Sequence, residues 1–335
     1  MDMVLISFNC TYQDITSLEN LLGAWKEFVQ GKKNKKDVQE FQRNLMRNII
    51  ELYTDLSNKT YTHSKYEAFG ISDPKPRSIH KASVRDRLLH HAIYRKMYPY
   101  FNKRFIADSY SCQLNKGTHK AVERFKRYAY KEGKNNKRTV WILKCDVKKF
   151  FASIDQCVLM NILGRYIKDV EVLQLIEKIV ESFHSTEIGK GLPLGNLTSQ
   201  LLVNIYMNEF DQWMKHKQKV IYYIRYADDF VVLNHNKKYL EELLMAIHKF
   251  LNHELRLFLH PDKVFIKTLA SGVDFLGWIH FSDHRVFRTA SKRRMFTNLK
   301  ENKKPQALES YFGLLKHGNA KGLQGEIECL KDVPN

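Results

Sequence analysis

Apolar residues recur every three or four positions in six stretches of the chain, the spacing that places them on one face of a helix. In the first stretch the apolar positions are Val38, Phe41, Leu45, Ile49 and Leu52. The pattern predicts helices over residues 37–56, 83–98, 118–133, 158–183, 197–215 and 238–253. We expect Asp37 and Glu40, in capping-box spacing, to open the first helix. Ser83 is expected to cap the second helix and Pro99 to end it.

Runs rich in β-branched and aromatic residues lie between these helices and predict strands. Residues 139–147 (TVWILKCDV) indicate a buried strand, and residues 220–233 (VIYYIRYADDFVVL) a hairpin broken at Ala227-Asp228-Asp229. Two more strands are predicted over residues 263–268 and 273–281, and a basic helical segment from Asp283 onward. Because helices and strands follow one another without a βαβ rhythm, the predicted fold class is α+β rather than a doubly wound sheet.

Charge adds a second pattern. The 335 residues include 55 Lys and Arg against 36 Asp and Glu, a formal net charge of +19. Residues 103–149 hold fourteen basic against four acidic side chains, and residues 283–304 hold eight against two. Such stretches, with aromatic residues among them, favour a nucleic-acid partner, because basic groups neutralise phosphates and aromatic rings stack on bases. The alternative is a generally basic surface, with the aromatic rings serving as helix cores.

Several other classes of protein are excluded. Five scattered cysteines without a CxxC pair argue against a disulfide framework and a zinc site. His90, His91, His248 and His253 form no HExxH motif and are expected to be core or surface residues. No apolar run reaches the roughly 18 residues of a membrane span. Since the start of the chain lacks signal-peptide features, we expect a cytoplasmic protein.

Three carboxylates interrupt apolar segments of this basic chain. Asp146 ends the strand WILKCD, and Asp228-Asp229 occupy the tip of the predicted hairpin. Adjacent carboxylates raise each other's pKa, so they favour a nearby cation. Mg²⁺ takes oxygen ligands, and two such ions about 4 Å apart could activate a hydroxyl and hold a leaving pyrophosphate. Ordinary turn chemistry, in which Asp is common, is the alternative for this pair.

The neighbours of these carboxylates favour the metal interpretation. YADD (226–229), preceded by DVKKFF (146–151) and LPLGNLTSQ (192–200), resembles the palm of reverse transcriptases. DPKPRSIHKASVRDRLLHHAI (73–93) is similar to their fingers, and LESYFGLLKHGNAKGL (308–323) to their thumb. The resemblance implies a right-hand polymerase. Its expected parts are fingers (1–114 and 159–189), a palm with a small antiparallel sheet (115–158 and 190–282) and a helical thumb (283–335).

The resemblance also implies roles for individual residues. Asp146, Asp228 and Asp229, with the carbonyl of Val147, would bind two Mg²⁺ ions, for which Mn²⁺ could substitute. Lys263 would be the acid that protonates pyrophosphate, although a surface phosphate contact is an equal interpretation. The residues implied to contact the incoming deoxynucleotide are Lys75, Arg77, Phe151, Leu194 and Gln200.

For two of these nucleotide-contacting residues, the resemblance implies a role in selecting the correct nucleotide. Phe151 matches the steric gate that excludes a ribose 2′-hydroxyl, whereas a core phenylalanine is the alternative and is expected of neighbouring Phe150. Leu194 stands where many reverse transcriptases have glutamine, so an amide beside the templating pair is absent. The alternative for Leu194 is a packing residue in a Gly-Pro turn.

Together with GNLTSQ, this LPLG segment resembles the reverse transcriptases of diversity-generating retroelements, which miscopy template adenines. That group implies a bacterial or phage-encoded enzyme with an RNA template, a DNA or RNA primer, deoxynucleotides and a small basic oligomeric accessory protein as partners. A retron or phage-defence reverse transcriptase is the second hypothesis. A catalytically silent RNA-binding protein on a polymerase scaffold is the third, and the intact carboxylates argue against it.

Overall fold

The structure is a computed structural model that describes residues 8–72, 76–301 and 305–331. The helices in these ranges are α1 (Tyr12–Thr16), α2 (Leu18–Phe28), α3 (Lys36–Arg43), α4 (Leu45–Ser57), α5 (Val84–Asn102), α6 (Thr118–Glu132), α7 (Phe150–Ser153), α8 (Gln156–Tyr166), α9 (Val170–Glu181), α10 (Leu197–Gln212), α11 (Lys237–Leu255), α12 (Thr289–Glu301), α13 (Pro305–Leu315) and α14 (Lys321–Lys331). The strands are β1 (Glu67–Ile71), β2 (Arg77–Lys81), β3 (Trp141–Asp146), β4 (Tyr223–Tyr226), β5 (Asp229–Asn234), β6 (Phe265–Thr268), β7 (Val273–Phe275), β8 (Trp278–His280) and β9 (Arg285–Phe287).

The chain divides into two compact units. Residues 1–107, 147–218 and 248–258 form the first, and residues 108–146, 219–247 and 259–335 form the second. The first unit is mainly helical and carries the hairpin β1–β2, and the second contains a four-stranded and a three-stranded antiparallel sheet. The predicted α+β class is therefore confirmed. No helix among the described residues is both long and apolar enough to cross a membrane.

Helix α5 is the centre of the first unit, where it packs against α2 and α10. It begins as predicted, because the Ser83 hydroxyl accepts a hydrogen bond from the Asp86 amide at 3.1 Å. The prediction that Pro99 ends the helix is wrong, since Pro99 lies inside it. Tyr98 and Phe101 are buried on either side of that proline, so tertiary packing carries the last turn to Asn102.

Three of the predicted helices are interrupted. Residues 37–56 form α3 and α4, separated at Asn44, whose ψ of 38° departs from helical geometry. The predicted capping box is also wrong, because Asp37 lies inside α3 and pairs with Lys81 at 2.9 Å and with Arg87. Residues 158–183 form α8 and α9, and Asp169 accepts hydrogen bonds from the Glu171 and Val172 amides in the first turn of α9. Helix α10 continues as a π-helical turn, Trp213–Lys217.

The larger sheet of the second unit has the strand order β4-β5-β3-β6. Directly opposed residues share a face, and the face formed by Ile142, Ile224, Val231 and Leu233 packs in one core with Phe125 of α6. The smaller sheet has the order β7-β8-β9. The prediction of one strand over 273–281 is wrong, because the segment forms two antiparallel strands, β7 and β8. Leu276 and Gly277 between them take positive φ angles of 52° and 86°, which reverse the direction of the chain. The predicted basic helical segment from Asp283 onward is wrong at its start, because β9 lies within it and α12 begins only at Thr289.

Candidate active site

The antiparallel pairing of β3 with β5 brings two of the predicted carboxylates together. Asp146, the last residue of β3, is the direct partner of Asp229, the first residue of β5. Directly opposed Cα atoms lie about 4.5–5.5 Å apart. Asp228 precedes Asp229, and neighbouring Cα atoms are about 3.8 Å apart, so Asp146 and Asp228 are within roughly 9 Å. All three predicted carboxylate residues are therefore at one end of the sheet.

A tight turn carries Asp228. Tyr226 pairs with Asp229, which leaves Ala227 and Asp228 as a two-residue hairpin loop. Ala227 has a φ of 56°, the left-handed conformation that two-residue hairpins require at this position. For a residue with a Cβ atom this conformation costs about 1–2 kcal/mol. The predicted hairpin is confirmed, with its break at Ala227-Asp228; Asp229, predicted as part of the break, is the first residue of β5.

Two lysines pair with the carboxylates. Lys263 Nζ donates to Asp146 Oδ1 at 2.8 Å, and Lys144 Nζ lies 3.3 Å from Asp229 Oδ2. Lys144 was missed by the sequence analysis. Lys144 precedes Asp146 by two residues in the same strand, so the alternation of side chains places both on one face. This spacing of two residues is the sequence pattern that could have indicated Lys144 as a neighbour of the carboxylates.

Asp229 is the most perturbed of these acids. Its side chain is 19% exposed, and Oδ1 is buried with no hydrogen-bond partner among the described residues. Burial raises the pKa of Asp229 to about 7; the Lys144 ammonium opposes the shift, and the charges of Asp146 and Asp228 add to it. A carboxylate with an orphaned buried oxygen, facing a second carboxylate, has the chemistry of a divalent-cation ligand.

Lysine ammonium groups pair with two of the three carboxylates, Asp146 and Asp229. Within the described ranges, no group of three or more His, Cys, Asp and Glu side chains is close enough to hold a metal ion. The strands thus bring the three acids to one end of the sheet, and their role as shared metal ligands stays a prediction. Ion pairing with Lys144 and Lys263 relieves the repulsion that would otherwise oppose the arrangement. Val147, which follows Asp146, is buried.

The predicted nucleotide-contacting residues belong to the first unit, where backbone hydrogen bonds link three segments. The His80 amide of β2 donates to the Leu194 carbonyl at 3.0 Å, and the Leu192 amide donates to the Phe151 carbonyl at 2.8 Å. Gly195 takes a φ of 107°, and a Cβ atom there would lie 2.8 Å from Ile79 Cγ2. Glycine thus permits the close approach of the LPLG segment to β2. The strand of Arg77, the LPLG segment and the turn of Phe151 therefore form one cluster.

Within this cluster the candidate side chains differ in exposure. Arg77 is exposed, whereas Phe151, Leu194 and Gln200 are half-buried. Phe150 is only 4% exposed, which confirms its expected place in the core. Half-burial leaves part of the Phe151 ring and of the Leu194 side chain accessible. Lys75 lies outside the described residues.

The histidines excluded as metal ligands behave as expected. His90 is buried, with Nε2 3.2 Å from Nε2 of His63, and burial lowers the pKa of His90 to about 3. His91 packs edge-on against Phe28. His248 and His253 are exposed. These positions agree with core and surface roles.

Comparison with known proteins identifies the family. The model of the family "Reverse transcriptase (RNA-dependent DNA polymerase)" matches residues 71–280. Protein YkfC of Escherichia coli K12 is 26% identical over 259 residues, 66% of each chain. The group II intron-encoded protein LtrA of Lactococcus lactis is 23% identical over an alignment of 223 residues, and the match covers 46% of this chain and 36% of LtrA. The chain thus matches about two thirds of the first relative and about a third of the second.

Solved telomerase structures share the fold. Apo telomerase from Candida tropicalis, truncated from its C-terminal domain, has a TM-score of 0.51 and 12% identity to this chain. The match covers 72% of this chain and 60% of the telomerase chain. Telomerase from Candida albicans in complex with a fragment of telomeric RNA also has a TM-score of 0.51 and 12% identity, covering 72% and 51%. This likeness supports the predicted right-hand polymerase fold. With residues 71–280 matched by the family model, the chain belongs to the reverse transcriptase family.

Proposed function

We propose that this chain is an RNA-directed DNA polymerase that uses Asp146, Asp228 and Asp229 to hold two Mg²⁺ ions. One observation carries the proposal: a reverse transcriptase family member has Asp146 directly opposite Asp229, whose Oδ1 is buried without a partner among the described residues. Mn²⁺ would substitute for Mg²⁺, and the Val147 carbonyl would add a ligand. When bound, the ions would supply a Lewis acid for the attacking hydroxyl and charge neutralisation for pyrophosphate.

The chain's own residues would position the substrates. The ammonium of Lys263, held 2.8 Å from Asp146 Oδ1, would supply a proton to the leaving pyrophosphate. Arg77 would grip the triphosphate with its bidentate guanidinium, and Lys75 would add a point charge. Phe151 would exclude the 2′-hydroxyl of a ribonucleotide, while Leu194 and Gln200 would line the nascent base pair. The fingers, palm and thumb boundaries given above belong to the same proposal.

A primer-extension assay tests this function. The purified chain, given an RNA template, an annealed DNA primer, deoxynucleotides and Mg²⁺, should extend the primer to the end of the template. Removal of the metal with EDTA should stop extension, and Mn²⁺ should restore it. Binding of RNA without extension under any of these metal conditions would refute the polymerase and favour the silent RNA-binding hypothesis.

We further propose that the template is the repeat RNA of a diversity-generating retroelement, copied with errors at adenines and with help from a small basic oligomeric accessory protein. The LPLG segment supports this. The Leu194 carbonyl accepts a hydrogen bond from the His80 amide of β2, and its side chain is aliphatic where many reverse transcriptases have an amide. One such bond is worth about 0.5–1.5 kcal/mol, so its absence changes discrimination only several-fold. Other residues must therefore contribute to infidelity.

Leu194→Gln tests the subtype. It should lower misincorporation opposite template adenine more than opposite the other bases, because the amide restores a geometric check. Sequencing of cDNA made by both enzymes from one RNA, with matched nucleotide pools, measures the change. An unchanged error spectrum would make Leu194 a packing residue. A pair of nearly identical repeats beside the gene, differing mainly at adenines, would support the same subtype, whereas a structured RNA directly upstream would favour a retron.

A further inference from the structure

A buried arginine lies beneath the turn that carries the carboxylates. Arg225 is 0% exposed and precedes the turn by two residues. Its Nη1 donates to the Ala227 carbonyl at 3.1 Å, and its Nη2 donates to Ser109 Oγ at 3.0 Å. The main chain is held as well, because the Arg225 amide donates to the Asp108 carbonyl at 3.0 Å and its carbonyl accepts from the Tyr110 amide at 2.9 Å.

The location of Arg225 separates it from the reacting groups. Arg225 pairs with Phe230, whereas Tyr226 pairs with Asp229, so side-chain alternation places Arg225 on the sheet face opposite that of Asp146 and Asp229. A guanidinium keeps its charge at any accessible pH, and burying a charge is costly. Its neighbours in β5 on that face, Phe230 and Val232, are buried apolar residues.

The hydrogen bond from the Arg225 guanidinium to the Ala227 carbonyl connects the buried charge to the turn. Ala227 holds the left-handed conformation, and its carbonyl belongs to the peptide unit that leads into Asp228. An ionised donor makes a stronger hydrogen bond than a neutral one, so the guanidinium can hold this strained peptide in one orientation. The second nitrogen of the guanidinium, Nη2, donates to Ser109, whose backbone forms a parallel β-bridge with Arg225 itself.

We propose that Arg225 is a positioning residue that fixes the turn and thereby orients Asp228 and Asp229 for metal binding. This inference rests on the proposed function, in which those carboxylates hold the metal ions. Two substitutions test it. Arg225→Lys keeps the positive charge but loses the two-armed fork, and Ser109→Ala removes one partner while leaving the guanidinium in place.

A matched control comes from the first unit. Arg95 donates to Glu27 at 2.7 Å and to Asn20 Oδ1 at 2.9 Å, and both partners belong to the first unit. Arg95→Met should lower stability without changing the metal site. For each variant we would measure Mn²⁺ affinity by electron paramagnetic resonance, kcat and KM for deoxynucleotides in primer extension, RNA affinity, and resistance to urea.

Arg225→Lys should weaken Mn²⁺ binding about tenfold and lower kcat about tenfold, the effect of losing one charge-assisted hydrogen bond. KM and RNA affinity should stay within about twofold. Ser109→Ala should shift Mn²⁺ binding and kcat in the same direction by a smaller factor. A loss of urea resistance in both variants with unchanged Mn²⁺ affinity and kcat would overturn the inference. If the wild type binds Mn²⁺ but extends no primer, the proposed function fails, while the Mn²⁺ measurements still decide the role of Arg225.

Discussion

Lys144→Met should destabilise the acidic end of the larger sheet. The Lys144 ammonium lies 3.3 Å from Asp229 Oδ2, and the two side chains are 14% and 19% exposed. At an effective dielectric constant of about 20, two charges at this distance attract by roughly 5 kcal/mol, and removing one partner of a buried pair costs about 3–5 kcal/mol. Both groups keep some solvent contact, and Asp229, whose pKa is about 7, can take up a proton once the ammonium is gone. We therefore expect the free energy of unfolding to fall by less than this, about 2 kcal/mol.

Mg²⁺ should recover part of this loss, because a cation bound by Asp229 and Asp146 replaces the missing ammonium and binds only the folded chain. Urea unfolding, followed by far-ultraviolet circular dichroism with and without Mg²⁺, measures both effects. The double variant Lys144→Met/Asp229→Asn is the matched control, since it removes both charges. It should lose less stability and respond less to Mg²⁺. Equal responses of the single and double variants, or an undiminished stability of Lys144→Met, would refute the reasoning.

Two further predictions concern one residue each. Phe151→Ala should raise the use of ribonucleotides relative to deoxynucleotides in primer extension, because it removes the ring that we propose excludes the 2′-hydroxyl; an unchanged ratio would make Phe151 a packing residue. His280→Gln should flatten the acid side of the stability profile. Burial lowers the pKa of His280 from 6.5 to about 4, so between these pH values the unfolded chain binds a proton that the folded chain does not. The contribution of His280 to the free energy of unfolding is therefore fully present above pH 6.5 and is lost as the pH falls toward 4. Between neutral pH and about pH 5 this amounts to about 2 kcal/mol in urea unfolding, which the variant should lack.

The sequence predicts best where a local pattern and the tertiary structure agree. Strand β3 and the β4–β5 hairpin are correctly predicted, because apolar runs end at Asp146 and at the polar tip. The family resemblance then implied that Asp146, Asp228 and Asp229 share one metal site, and the structure adds the direct pairing of Asp146 with Asp229, which residue patterns alone do not contain. That pairing depends on strands more than 80 residues apart in the chain.

Other features lie beyond periodicity. The breaks at Asn44 and at Leu276-Gly277 depend on single backbone conformations within otherwise continuous patterns. The hairpin β1–β2 was not predicted, since all five residues of β1 are exposed and give no apolar alternation. The partner of Lys144 could not be predicted either, because alternation gives the face of a side chain but not the ion pair that it forms.

Asp228→Asn tests the proposed chemistry most directly, because the amide keeps the shape of the side chain and removes the charge that would hold Mg²⁺. The variant should make no DNA in primer extension, while its RNA affinity in a binding titration stays near that of the wild type, since RNA contacts are expected from the basic stretches. Asp55→Asn, which alters a carboxylate paired with Arg85 at 2.6 Å, is the matched control and should retain extension. Extension by Asp228→Asn at a rate near the wild type would contradict the assignment of the carboxylates as the catalytic metal ligands.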